Sequence, residues 1–302
     1  MRAEIPGVGG LRVVFEADSV YHHIVVAEDS VARYLRFDRS IQSGMYLNDT
    51  FDSPFLYVAY AHLGLLFRPQ GKKILVVGLG GGSIPKRFWR DYPEMTIDVA
   101  ELDPMVVDVA KRFFEVREDP RLRIAVQDGR LFLRRTRERY DIIILDAYFA
   151  DSIPFHLTTR EFLQLLKARL APGGVVVANI IGALQGKACD VLFRAMYRTF
   201  AEVFPGLYPF PVAFRPYHDV EVVRNIMLIA SDERGLARDE ILRRARRLTS
   251  RVTYAQFLKY AGDYYDAPIP VADVPVLTDD YAPVDTLVPV WGCQPIPKTP
   301  NP

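Results

Sequence analysis

The stretch from Lys73 to Glu101 constrains this chain more than any other. It reads Lys73-Ile-Leu-Val-Val-Gly-Leu-Gly-Gly-Gly-Ser-Ile-Pro-Lys-Arg-Phe and resumes as Thr96-Ile-Asp-Val-Ala-Glu101. The apolar run 74–77 is a buried strand by type. Gly78, Gly80, Gly81 and Gly82 form a turn whose backbone can lie close to a ligand. A helix is expected from about Ser83. The next strand ends on Glu101, roughly twenty residues past the glycines. Strand, glycine turn, helix, strand and distal acid, in that order, are the arrangement that holds a nucleoside or dinucleotide. A lone glycine pattern is weak and reads equally as a tight βα turn; its flanking elements give it weight here.

The rest of the chain extends this pattern in both directions. Before it, short runs such as Leu11-Arg-Val-Val-Phe, His23-Ile-Val-Val-Ala and Ala32-Arg-Tyr-Leu-Arg-Phe alternate with turn residues. They predict a small antiparallel sheet over residues 1–54, which must pack on the main domain or on a partner to bury a face. Residues 55–67 look helical. Asp103-Pro104 reads as an N-cap followed by a proline at the first helical position. That helix should reach about Phe114. Strands are expected at 122–126, 141–145 and 175–180, with helices to about 136, over 159–170 and from about 187 to 204. Two last strands, near 207–214 and 225–230, follow one another without a helix between them. Alternating strands and helices imply a doubly wound parallel sheet, and the last pair implies an antiparallel hairpin at one edge. Seven strands so arranged are a methyltransferase-type sheet. Helical patterns at 235–248 and 253–260 and a proline-rich end complete residues 55–302.

Ligands of such sheets bind at the carboxyl ends of the strands. Four consecutive strand ends carry the glycine turn, Glu101, Asp128-Gly129 and Asp146. One acid in such a place is often a helix cap; the set together points to a ligand. Asp146 stands out as the reacting group, able to take a proton from an amine or to hold a cation. The loop after it contains Asp151 and Pro154, and Asp151 reads either as a second pocket charge or as a turn residue.

Other function classes are disfavoured. The net charge of +1, from 38 basic and 37 acidic residues, leaves no nucleic-acid footprint. No Lys-Ser/Thr follows the glycines, as a nucleotide triphosphatase needs, and no Gly-x-Ser-x-Gly elbow is present. The histidines (His22, His23, His62, His156, His218) lack metal-ligand spacing apart from the adjacent pair, so no metal is expected, and core or surface roles are expected for most of them. Cys189 and Cys293 form no redox motif, which suggests reduced thiols. No signal-like start and no run near the ~18 apolar residues of a membrane span are seen. A soluble cytoplasmic protein without membrane partners is expected.

At these residues the chain resembles the spermidine synthase family, the polyamine aminopropyltransferases. The resemblance covers about residues 17 to 232. It rests on Tyr21-His-His-Ile, Phe37-Asp-Arg-Ser-Ile-Gln42, the glycine loop, Glu101-Leu-Asp103, Asp128-Gly129-Arg-Leu-Phe-Leu, Tyr140-Asp-Ile-Ile-Ile-Leu-Asp146 and Thr159-Arg-Glu-Phe162. It implies an N-terminal β domain on a Rossmann-like catalytic domain, in a homodimer or homotetramer. It also implies aminopropyl transfer from decarboxylated S-adenosylmethionine to an amine, with release of methylthioadenosine. Carried over, Glu101 holds the ribose, Asp128 and Gly129 the adenine side, and His22, Gln42, Gly78, Gly80 and Gly82 line the nucleoside pocket. Asp146 is the general base. Tyr57, Gly81, Asp151 and Pro154 fall on the amine side.

Four departures stand against this plan. The family's glycine loop carries an Asp where Gly81 stands. It has Tyr followed by Gln or His, then Glu-Met, where this chain has Leu56-Tyr57-Val58-Ala59. It has Gln where His22 stands, and a shorter loop after Asp146. Asp151, Glu161, Asp279 and Asp280 are candidate replacements for the lost acid. The segment Leu277-Thr-Asp-Asp-Tyr-Ala-Pro-Val-Asp285 is similar to that of spermidine synthase-like proteins attached to membrane transporter segments. Two rival readings stay open: an S-adenosylmethionine-dependent methyltransferase and a non-catalytic nucleoside-binding relative.

Overall fold

Alternating patterning builds the N-terminal part. In the computed structural model, which describes residues 10–147, 153–186 and 189–287, β1 (Arg12–Asp18), β2 (His23–Glu28), β3 (Ala32–Phe37) and β4 (Ser40–Tyr46) form an antiparallel sheet in chain order. β4 follows the last of the runs named from the sequence and lies within the expected N-terminal sheet. Ile24, Val26, Leu35, Phe37 and Met45 on one face of this sheet pack on Val106, Val109 and Phe114. The sheet therefore buries its apolar face on the main domain, and each such side chain contributes roughly 1.5–3 kcal/mol.

Past Pro54, α1 (Tyr57–Tyr60) tightens into a 3-10 turn over Ala61–Leu66, where one continuous helix is expected. Gly64 in that turn lies against the sheet, and an added Cβ would come within 2.9 Å of Val177. The remaining elements alternate as predicted. They are β5 (Lys73–Val77), α2 (Ser83–Asp91), β6 (Thr96–Glu101), α3 (Pro104–Phe113), β7 (Leu122–Val126), α4 (Gly129–Arg135), β8 (Tyr140–Leu145) and α5 (Arg160–Ala168). After them come β9 (Leu170–Gly182), α6 (Val191–Ala201), β10 (Gly206–Pro211) and β11 (Arg224–Ser231). α7 (Arg238–Leu248), α8 (Phe257–Gly262) and α9 (Val284–Leu287) end the described chain. Asp103 caps α3 by accepting from Met105 N, with Pro104 at the first helical position, as the sequence suggests.

The main sheet has seven strands in the order β10-β11-β9-β8-β5-β6-β7. β5, β6, β7, β8 and β9 run parallel, and β11 runs antiparallel to both its neighbours, β9 and β10. Both faces are covered, so its central strands are apolar throughout and their side chains sort by parity. Ile74, Val76, Ile142, Ile144, Val175 and Val177 face a core shared with α1, α7 and α8. Leu75, Val77, Ile143, Leu145, Val176 and Ala178 face the opposite core, shared with α5 and α6. Ala171-Pro-Gly-Gly174, expected as a turn, bulges from β9 between the pairs Tyr140–Leu170 and Ile142–Val175.

Cys189 is disulfide-bonded, which corrects the expectation of reduced thiols there; the missing redox motif carried no information on this bond. Cys293 lies outside the described residues. No helix among the described residues is long and apolar enough to cross a membrane.

Candidate active site

One cavity opens at the carboxyl ends of β5, β6, β8 and β9, and β4 closes its other side. It is lined by His22, Gln42, Gly78, Gly80, Glu101, Asp128 and Gly129 from the expected nucleoside set, and by Asp146, Tyr57 and Pro154 from the expected reacting and amine set. Gly81 and Gly82 stand back from it. Asp151 lies outside the described residues.

The glycine turn and Glu101 are locked together. Glu101 is buried, and its two carboxylate oxygens each accept one backbone N–H: Leu79 N at 2.8 Å on Oε2 and Asp103 N at 2.9 Å on Oε1. Burial raises its pKa above the ordinary carboxylate value, and the backbone donors oppose that shift. Each oxygen retains a lone pair for a ligand hydroxyl. Gly78 has φ +96, and a Cβ there would fall 2.3 Å from Asp146 O, so the turn passes directly beneath the end of β8.

Asp128 serves two purposes. It caps α4 through Leu131 N at 2.9 Å, and its other oxygen lies 2.7 Å from His156 Nε2. Its carboxyl is held below the usual range: burial opposes this, and the bonds to His156 and the backbone outweigh burial. His156 itself lines the cavity, although sequence alone offered it only a core or surface role. Arg130 anchors this wall by donating to His156 O at 3.1 Å while pairing with Asp279. On the far side His22 stacks on Phe37 with ring centres 4.2 Å apart, and burial lowers its pKa. It is therefore neutral near pH 7.

Asp146 is the next residue on its face of β8 after Ile142 and Ile144. The β8–β9 register pairs Ile144 with Val177, so Asn179 stands beside Asp146. Asn179 Nδ2 donates to Asp146 Oδ1 at 2.8 Å. Asn225 on β11 in turn donates from Nδ2 to Asn179 Oδ1 at 3.0 Å. Part of Asp146 is open to the cavity, but protein surrounds it otherwise. That desolvation pushes its pKa up to about 7, against the opposing bond from Asn179. A carboxyl that titrates near neutrality is suited to accept a proton at physiological pH. Tyr57 completes this side, its hydroxyl donating to Gln42 O at 3.2 Å.

Asn179 and Asn225 were missed from sequence. A signal was present: Asn179 interrupts Val175-Val-Val-Ala-Asn-Ile-Ile, and a polar side chain in a strand buried on both faces needs a partner.

The domain profile "Spermine/spermidine synthase domain" matches residues 57–223. A polyamine aminopropyltransferase of Vibrio vulnificus is 35% identical over 214 residues, which is 68% of this chain and 69% of that protein. The chain belongs to the spermine/spermidine synthase family. It is thus a member of a family of transferases that make polyamines. It spans 62% of the length of a probable polyamine aminopropyl transferase of Bifidobacterium longum and 34% of that of a spermine synthase of Arabidopsis thaliana. Among solved structures, a probable spermidine synthase from Corynebacterium glutamicum superposes with TM-score 0.69 at 20% identity, covering 90% of this chain and 99% of that one. Human methyltransferase-like protein 13 in complex with SAH gives 0.53 at 26% identity, over 66% of this chain and 91% of that one. These likenesses agree with the methyltransferase-type sheet.

Against the family pattern, Gly81 gains a structural account. A Cβ at this position would lie 2.8 Å from Ser43 Oγ and 3.0 Å from Phe114 Cδ1. Ser43 of β4 and Phe114 would have to shift for an acid to stand at this position. Two of the candidate replacement acids are engaged elsewhere. Glu161 pairs with Arg160 and accepts from Asp279 N, and Asp279 binds Arg130 and Thr159. Neither of these two nor Asp280 lines the cavity. Among the described residues no group of three or more His, Cys, Asp or Glu side chains is placed to hold a metal.

Proposed function

We propose that the chain transfers an aminopropyl group from decarboxylated S-adenosylmethionine to an amine acceptor and releases methylthioadenosine. The observation that carries this reading is Asp146, a carboxyl titrating near 7, in one cavity with Glu101 and Asp128. Glu101 and Asp128 hold the adenosyl part, the first at the ribose hydroxyls and the second, with His156, at the base. The acceptor lies between Asp146, Tyr57 and the apolar Ile181. Its nitrogen forms the new C–N bond as the C–S bond breaks, the electron pair stays on sulfur, and Asp146 takes the proton from nitrogen. A sulfonium is already an activated leaving group, so positioning and this proton transfer are the protein's main contributions. The cellular setting belongs to the same proposal: a cytoplasmic homodimer or homotetramer.

A second reading, methyl transfer from intact S-adenosylmethionine, is favoured by the absence of a family acid at Gly81. The test is calorimetric titration with both forms of the co-substrate, followed by mass detection of methylthioadenosine with a panel of mono- and diamines. Tighter binding of the decarboxylated form and amine-dependent methylthioadenosine support aminopropyl transfer. Tighter binding of the intact form, with S-adenosylhomocysteine as the product, overturns it.

A further inference from the structure

Asp146 can only accept while it is ionised. An asparagine amide beside it has one donating and one accepting end, so its orientation decides which protonation state of the acid it stabilises. Asn179 presents Nδ2 to Asp146, and its Oδ1 faces Asn225 Nδ2. Rotating the Asn179 amide by half a turn would set Oδ1 against the Asp146 carboxylate and Nδ2 against Asn225 Nδ2. The first contact would then be repulsive, and the second would be so unless the Asn225 amide turned as well. Asn225 as it stands thus completes the orientation in which Asn179 donates.

The register explains how a residue two strands away reaches this position. Asn225 pairs with Ile181 and Met227 with Asn179 across β9 and β11. Asn225 is thus the diagonal neighbour of Asn179 on the same face, within reach of a side-chain amide. Beyond Asn225 the face opens to the cavity, which Asn179, Ile181 and Asn225 all line.

We infer that Asn225 is a positioning residue which, by donating to Asn179 Oδ1, supports the orientation in which Asn179 donates to Asp146, and through it keeps Asp146 in its proton-accepting form. This rests on the proposed role of Asp146 as the base. The relay itself is a property of the protein without substrate. Asn179 is the only described side chain bonded to Asp146. The titratable groups facing the same cavity are His22 before β2, Tyr57 on α1, Glu101 on β6, Asp128 before α4 and His156 after β8. Each is bonded or stacked elsewhere, as given above. Arg224, next to Asn225, turns its guanidinium to the carbonyls of Val212, Ala213 and Asp219.

The experiment is a carboxyl-carbon NMR titration of the aspartate-labelled protein, with the Asp146 signal assigned by its loss in Asp146→Asn. Asn225→Leu should raise the midpoint of Asp146 by about one pH unit, the equivalent of part of a charge-assisted hydrogen bond. Asn179→Leu should raise it further. The double variant should match Asn179→Leu alone, because Asn225 acts only through Asn179. Asn225→Val, β-branched and suited to a strand, replaces the leucine variant if that one does not fold. An unchanged midpoint in both Asn225 variants overturns the inference, as does a double variant whose shifts simply add. In turnover assays the acid limb of the rate profile should move in the same direction. If no methylthioadenosine forms at all while the NMR shifts appear, the functional reading fails and the relay stands.

Discussion

Glu101 and Asp146 sit at strand ends on either side of β5, in one cavity, yet they are held by different means. Glu101 accepts two backbone N–H groups that belong to the turns themselves. Asp146 accepts one side-chain amide, which is itself oriented by another. Backbone donors come with the fold and survive any substitution that leaves the turn intact. Side-chain donors can be exchanged one residue at a time. The Glu101 end of the cavity, proposed for the nucleoside, is therefore built into the chain trace, and the Asp146 end, proposed for the amine, into particular side chains.

That contrast breaks first at Asp146. Asp146→Asn should lower kcat by roughly 10²–10⁴-fold and leave methylthioadenosine affinity unchanged within error, as read by steady-state kinetics beside calorimetry. A matching loss of nucleoside affinity would join the two halves into one. Glu101→Gln should do the reverse. It keeps the shape but weakens charge-assisted bonds, so methylthioadenosine Kd should rise by about 10–100-fold.

The titration of Asp146 gives a smaller effect with a definite sign. Its folded pKa lies above the unfolded one, so the folded state holds the extra proton between about pH 4 and 7. Its contribution to stability is present at low pH and is lost as pH rises through 7. Wild type should melt below Asp146→Asn at pH 8, and the gap should close at pH 4. The turnover rate should climb as pH rises through about 7, when the base form appears. The smallest effect concerns Gly81. Gly81→Asp restores the family acid but forces it against Ser43 and Phe114, an overpacking worth about 1–3 kcal/mol. Scanning calorimetry should show Tm lower by several degrees, without a gain in turnover. A gain in rate would show that β4 yields there.

What could be read from sequence follows the same division. The strand from Lys73, the glycine turn and Glu101 are local: propensity, spacing and one acid define them, and the structure matches the expected boundaries closely. The cap at Asp103-Pro104 and the edge hairpin were legible for the same reason. Asn179 and Asn225 were not, because their meaning depends on the register between β9 and β11, which pairs residues 46 positions apart. His156 was missed because its contact with Asp128 spans 28 positions and depends on how the chain after β8 returns to the cavity. Gly81 was legible as a departure, but its reason lies in Ser43, on a strand of the N-terminal sheet far from it in sequence.

The strand order has a practical consequence for anyone wishing to redirect this protein. Of the residues proposed for the nucleoside, Gly78, Glu101 and Asp128 follow β5, β6 and β7, while residues 179, 181 and 225 belong to β9 and β11 on the opposite flank. β8 is the seam between them. A combinatorial library confined to Ile181 and Tyr57 would sample new amine acceptors while Asn179 and Asn225 stay to support Asp146, and clones could be ranked by a single assay for released methylthioadenosine.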